Sequence, residues 1–261
     1  MSTLRVSKFA ENQHDSILVL LHGWGSSSKI WQPVIDELSQ SYELWCIDLP
    51  GHGDNQALDW DASVEAGMQL FAETLPPVCS IIGWSLGGLC AQLYLQQFPK
   101  RVEKLMLIAS TAKFVASKSW PNGMPQEKFD HFCKSFAKAP QKTLLQFNAL
   151  QILHSQEASK VIQTLSEATV NQNLQSLAWG LRWLEEVDLQ NLKIPKPCSV
   201  SLLYGENDQV VSVRAADDMH NLLGELELSK LTLAKLPKVG HVPFLSHPEW
   251  FLEQVEEWQH P

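Results

Sequence analysis

The residues best placed to do chemistry are Gly83-Trp84-Ser85-Leu86-Gly87. A serine with glycine two positions before and two after fits a tight strand-to-helix turn, where only small residues let the two backbones pass closely. The helix that follows points its N-terminus at the serine and favours negative charge developing there. A serine hydroxyl is a poor nucleophile until a base takes its proton. Two downstream segments offer the partners. Leu202-Leu203-Tyr204-Gly205-Glu206-Asn207-Asp208 puts an acid just past the end of an apolar run, and Gly240-His241-Val242-Pro243 puts a histidine past the end of the next. We therefore read Ser85, Asp208 and His241 as nucleophile, orienting acid and general base of a catalytic triad. Glu206 is the nearest rival for the acid, while Asp217 and Asp218 fall inside the following helix.

Acyl transfer passes through a tetrahedral oxyanion, which two backbone N–H groups usually stabilise. Leu86, the residue after the serine, supplies one. The early loop His22-Gly23-Trp24-Gly25 is expected to supply the other from Trp24, whose side chain would also wall the acyl site. His22 and His52 lie in loops on the same side and read as loop-ordering groups. His14, His131, His154, His220 and His260 read as surface or packing residues, and His247 as local structure at the start of the last helix. The mechanism needs no metal or other cofactor, and no phosphate loop or dinucleotide fingerprint is present.

These residues need a scaffold that brings distant loops to one edge. Ile17 to Leu21 is a short continuous apolar run, as expected of a strand buried on both faces. Further strands are expected over Leu44–Ile47, Ser80–Gly83, Lys104–Ala109, Ser199–Tyr204 and Leu228–Leu236. Helices are expected over Ile30–Leu38, Leu86–Phe98, Val213–Leu223 and Pro248–Trp258. Repeated strand–helix–strand units imply a mostly parallel sheet with helices on both faces, and catalytic loops then gather beyond the carboxyl ends of the strands. Between about Thr111 and Asp188 the alternation stops. Helical patterns follow a Pro/Gly-rich entry at Trp120 to Pro125, over Gln126–Lys138, Gln141–His154, Ser159–Ala168 and Asn171–Glu186. We expect one α/β domain over residues 1–261, with its core in 1–110 and 190–261 and a helical lid over about 111–189.

Composition agrees with such a domain. The chain has 261 residues, 44% hydrophobic and 19% charged, with a formal net charge of −9. That is enough apolar material for one sizeable core, and the acidic balance argues against a nucleic-acid binder. The five cysteines, Cys46, Cys79, Cys90, Cys133 and Cys198, show no metal or redox spacing. They read as free thiols of a reducing compartment. Met1 to Asp15 lacks the features of a secretory signal, and Ile17–Leu21 is too short to cross a membrane. A cytoplasmic protein, with a monomer as the expected state, follows.

The serine, acid and histidine segments together identify a resemblance to the α/β-hydrolases over essentially the whole chain. Within them the sequence is similar to the carboxylesterases of biotin biosynthesis that act on pimeloyl-[acyl-carrier protein] methyl ester. The matching pieces are Leu20-Leu21-His22-Gly23-Trp24-Gly25, Asp48-Leu49-Pro50-Gly51, Gly83 to Leu89, Trp120-Pro121, Phe147 to Gln151, Val187-Asp188-Leu189, Leu203-Tyr204-Gly205 and Ser246-His247-Pro248. The resemblance implies cleavage of a methyl ester with release of methanol. It implies substrate contacts from Trp24, Ser85, Leu86 and His241, and an acyl channel lined by Phe147, Asn148, Ala149, Leu150 and Gln151. It also implies that basic lid residues dock an acidic acyl-carrier protein, for which Lys138, Lys142 and Lys160 are the candidates. From 112 to 163 there are seven lysines (113, 118, 128, 134, 138, 142 and 160) against three acids (127, 130 and 157), a segment of +4 in a chain of −9. A positive lid on a negative body suits an acidic partner. The lid departs from the family pattern in having no arginine before Arg182, and lysine lacks the bidentate fork. Gln146, Ser159 and Asp54 are further departures. The same triad would serve a general short-chain esterase, a C–C bond hydrolase or a peptidase, with the lid pocket deciding between them. A receptor that keeps the fold without turnover is disfavoured by the complete triad.

Overall fold

The computed structural model describes residues 3–58, 63–155, 158–169, 171–194 and 198–260, without the side chain of Lys160. Among these residues the strands are β1 (Val6–Phe9), β2 (Ile17–Leu21), β3 (Glu43–Ile47), β4 (Cys79–Trp84), β5 (Val102–Ile108), β6 (Ser199–Gly205) and β7 (Lys230–Leu236). They form one sheet in the order β1-β3-β2-β4-β5-β6-β7, parallel throughout except for the β1–β3 pair. The helices are α1 (Gln32–Leu38), α2 (Val64–Thr74), α3 (Leu86–Gln97), α4 (Gln126–Lys138), α5 (Pro140–Gln151), α6 (Ala158–Ala168), α7 (Leu174–Glu186), α8 (Val213–Gly224), α9 (Pro243–Ser246) and α10 (Pro248–Gln259). Helices α4 to α7 lie between β5 and β6, where the alternation was expected to stop.

The apolar runs become central strands because both sides of the sheet are covered. Along β2, Val19 and Leu21 enter one core cluster while Leu18 and Leu20 enter the other. Each such fully buried side chain contributes about 1.5–3 kcal/mol. Register aligns the functional ends. Leu21 pairs with Gly83, Gly83 with Leu107, and Leu107 with Leu202. The loops after β2, β4, β5 and β6 therefore leave the sheet at one level.

Three elements were not legible in the sequence: β1, α2 and the single-turn α9 that follows His241. β1 is a short edge strand, Val-Ser-Lys-Phe, whose pattern does not alternate and which is half-buried only at its two ends. α2 carries Gly67 in its interior, which weakens a helical pattern. The glycine is there for packing, since a Cβ at that position would lie 2.6 Å from the Trp183 ring. The helix expected over Ile30–Leu38 is broken into a 3₁₀ turn, Ser28–Trp31, and then α1. The break falls just before Pro33, which has no N–H to continue the ladder.

Candidate active site

The turn between β4 and α3 has the geometry its glycines suggest. Ser85 sits at φ +53° and ψ −117°, outside the regions open to an ordinary L-residue. Two features hold it there. A Cβ on Gly83 would lie 2.6 Å from the carbonyl oxygen of Gly87, and one on Gly87 would lie 2.3 Å from the carbonyl oxygen of Leu21. In addition, Ser85 N–H donates to the Ile108 carbonyl at 2.9 Å, and the Ser110 hydroxyl donates to the Ser85 carbonyl at 2.9 Å. Ser110 itself accepts, through its carbonyl, a hydrogen bond from the Tyr204 hydroxyl. The strained turn is thus fixed from the two neighbouring strands.

Asp208 and His241 meet in a buried pair. His241 Nδ1 lies 2.7 Å from Asp208 Oδ2, and both side chains are fully buried. A carboxylate only accepts, so Nδ1 carries the proton and Nε2 is left as a base. The other carboxylate oxygen, Oδ1, accepts from the N–H groups of Val210 at 2.7 Å and Val211 at 2.9 Å. Glu206, the rival acid, is exposed. The His241 loop is bound to its surroundings at backbone level. His241 N–H donates to the Gln151 carbonyl at 2.8 Å, and Trp84 Nε1–H donates to the His241 carbonyl at 2.9 Å. The second contact ties the loop to the residue just before Ser85. One expected contact is not made: among the described residues His241 Nε2 is buried without a hydrogen-bond partner, so the bond to the Ser85 hydroxyl is not formed.

The two candidate oxyanion donors are both available. Leu86 opens α3, where a first-turn N–H has no intrahelical acceptor. Neither its N–H nor that of Trp24 donates to an acceptor among the described residues. The Trp24 side chain is buried, donates from Nε1 to the Leu177 carbonyl at 2.8 Å, and meets Phe132, Phe136 and Phe147 edge-on at 5.3 Å each. Beneath it, His22 and His52 are wholly buried with ring centres 5.0 Å apart. Burial lowers both, His52 to about 3, with the His22 ring contributing to that drop. They order loops and are not bases. Burial also pushes the Cys46 and Cys79 thiols up to about 12, which removes them as nucleophiles.

A cavity of about 670 Å³ opens beside Ser85. Its walls include Trp24, Phe129, Phe132, Phe147, Leu150 and Leu181, with Glu127, Lys128 and His131 among its polar lining. Of the five residues implied for an acyl channel, only Phe147 and Leu150 line it. Ala149 is exposed to solvent. Asn148 and Gln151 are buried on another face, where Gln151 Nε2 donates to Asn148 Oδ1 and Asn148 Nδ2 donates to the Thr169 hydroxyl. The reason is helical: Thr143, Gln146, Phe147 and Leu150 share one face of α5, whereas a consecutive run cannot. That spacing was the signal available in the sequence. His131, read as surface or packing, is exposed and belongs to the cavity lining. Leu86 and His241 are buried and are not part of the lining. Lys138 and Lys142 are exposed at the α4–α5 junction, and the Lys160 side chain falls outside the described residues. Among the described residues no group of three or more His, Cys, Asp or Glu is placed to hold a metal ion.

Comparison with known proteins agrees with this architecture. A family model described as the alpha/beta hydrolase family matches residues 18–254. The chain belongs to the alpha/beta hydrolase family. Among curated relatives of this hydrolase is a protein of Nitrosomonas europaea named pimeloyl-[acyl-carrier protein] methyl ester esterase. It is 35% identical over 238 residues, covering 90% of this chain and 92% of its own. A protein of the same name from Pectobacterium carotovorum is 34% identical over 248 residues, covering 94% of each chain. Among solved structures, an esterase from Exiguobacterium antarcticum superposes with a TM-score of 0.84 at 20% identity, covering 99% of both chains. A bromoperoxidase from Bacillus anthracis reaches 0.86 at 14% identity, covering 98% of this hydrolase and 95% of its own chain. Such distant likenesses speak for the shared fold alone.

Proposed function

We propose that this hydrolase is a serine carboxylesterase that cleaves the methyl ester of pimeloyl-[acyl-carrier protein] in biotin biosynthesis. Its chemistry rests on one observation: the His241–Asp208 pair, with Nε2 left free to accept, is tied through Trp84 to the strained Ser85 turn. Its substrate rests on relatives of that name that match it along nearly their whole length.

In this reading Ser85 Oγ attacks the ester carbonyl while His241 Nε2 takes its proton. The missing contact closes by rotation of the Ser85 side chain, since catalytic hydrogen bonds often tighten only around bound substrate. The N–H groups of Trp24 and Leu86 receive the developing oxyanion, each contributing on the order of 3 kcal/mol. The imidazolium, held by Asp208, returns the proton to the departing methoxide, and methanol leaves. Water, activated by the same imidazole, then hydrolyses the acyl-enzyme and restores Ser85. The methylene chain lies along Phe147 and Leu150, and the tether to the carrier leaves through the polar side of the cavity. Lys138 and Lys142 are exposed at the α4–α5 junction, open to an acidic carrier. Among the described residues no helix is long and apolar enough to cross a membrane. The described cysteines form no disulfide, which fits the reducing cytoplasm in which we place the enzyme.

The test compares wild type with Ser85→Ala on a short p-nitrophenyl ester and on methyl pimeloyl carrier protein. We expect a loss of roughly 10⁴ or more in kcat, and rescue by the wild-type gene of a strain lacking the biotin-pathway esterase. Equal rates for the two proteins would remove the serine mechanism. Faster turnover of the free methyl ester than of the carrier form would remove the substrate.

A further inference from the structure

The two buried imidazoles beneath the candidate oxyanion loop exchange partners. His22 belongs to the loop that carries Trp24, yet its Nε2 accepts the N–H of Leu49 in the opposite loop at 2.9 Å. His52 belongs to that opposite loop, yet its Nε2 accepts the N–H of Gly25 at 3.3 Å. Because each Nε2 accepts, each proton sits on Nδ1. His22 therefore donates to the Gly23 carbonyl at 2.8 Å, and His52 to the Pro50 carbonyl at 2.9 Å. The carbonyl before Trp24 and the N–H after it are thus both held by an imidazole. A backbone donor that must not reorganise during the reaction needs this kind of two-sided restraint.

We infer that His22 and His52 are positioning residues that clamp the peptide planes on either side of Trp24 and so aim its N–H at the oxyanion. The inference rests on the ester hydrolysis proposed above. The clamp works only while both rings are neutral, since an imidazolium cannot accept from Gly25 or Leu49. Deep burial keeps them so, Asp48 Oδ1 at 3.8 Å from His22 Nε2 being the nearest opposing charge.

Two substitutions separate the clamp from mere packing. His52→Gln keeps an acceptor for Gly25 N–H, whereas His52→Leu fills the space without one. We expect His52→Leu to lower kcat by about 10- to 100-fold with KM within about twofold. His52→Gln should restore most of that loss. A boronic acid that forms a tetrahedral adduct should bind His52→Leu more weakly by the factor lost in kcat/KM, because it uses the same donors. Amide exchange across residues 22–25, read on the same three proteins, should speed up in His52→Leu alone. Unchanged kcat and exchange in His52→Leu, or equal impairment of both variants with a raised KM, would overturn the clamp. A wild type that shows no Ser85-dependent hydrolysis would defeat the esterase reading instead, and the exchange comparison would still decide the clamp.

Discussion

The loops at the strand ends and the helices between β5 and β6 face each other across one cavity, but they are held by different means. In the loops, geometry is set by backbone: a carbonyl 2.3 Å from a missing Cβ, a serine at positive φ, buried imidazoles bonded to peptide groups. In the inserted helices it is set by which side chains share a face, with Phe147 and Leu150 turned to the cavity and Ala149 turned to water. The two regions are nevertheless stitched together. Gln151 and His154 at the end of α5 accept from His241 N–H and Asn207 Nδ2, while Leu177 in α7 accepts from Trp24 Nε1. The insertion thus braces the loops of Trp24, Asn207 and His241 from the end of α5 and from α7, while its cavity face stays free to vary. Reactivity should then fail abruptly when the loops are altered, and specificity should change gradually when the helices are.

The largest effect expected is on the loop side. Gly87→Ala places a methyl group against backbone that cannot move without disturbing β2, so it should cost about 3 kcal/mol or more of stability. Denaturant unfolding measures this, and a variant within about 0.5 kcal/mol of wild type would show that the turn is not set by that contact. The histidine pair gives a smaller effect. Burial depresses both His22 and His52, His52 to about 3, so the unfolded chain binds protons from about pH 6.5 downward while the folded chain does not. The stability from these groups is therefore fully present above about pH 6.5 and, for His52, declines as pH falls toward 3, by up to roughly 1 kcal/mol per pH unit. His52→Gln should flatten the slope between pH 6.5 and 5 by about that amount per unit. An identical slope in the variant would mean that the ring gains its proton in the folded state too.

On the helix side, Phe147→Ala should raise KM for an acyl ester by about tenfold with little change in kcat, through lost apolar contact in ground and transition states alike. Ala149→Ser should leave both constants unchanged. A KM effect at 149 equal to that at 147 would contradict the assignment of faces. This pair also marks how far the sequence could be read. The strand-end residues were legible because their chemistry is local: Gly83 and Gly87 advertise a close crossing, and Asp208 and His241 each follow a strand. The cavity face was less so, because the resemblance named five consecutive residues whereas one face of a helix takes residues three and four apart. Interior Gly67 hid α2, since the contact that explains it comes from Trp183, far along the chain. The ties from Trp84 to His241 and from Ser110 to Ser85 left no trace in spacing, because an indole and a hydroxyl in a core run look like ordinary packing.

The smallest expected effect concerns the outer face of the insertion. Lys138 and Lys142 are exposed, and no ion pair involving either is made among the described residues. If they steer an acidic carrier, their contribution is long-range and screened. Lys138→Gln combined with Lys142→Gln should then lower kcat/KM on carrier-bound methyl ester by about threefold at low ionic strength. The difference should vanish at high salt, because the Debye length falls below the separation over which approach is guided. Activity on a free methyl ester should be untouched, since neither lysine lines the cavity. An equal loss on free and carrier-bound ester would show that the substitutions act through the helices and not through the partner. An unchanged rate on the carrier form at low salt would leave the α4–α5 junction without a part in docking and move the carrier to another face of the hydrolase.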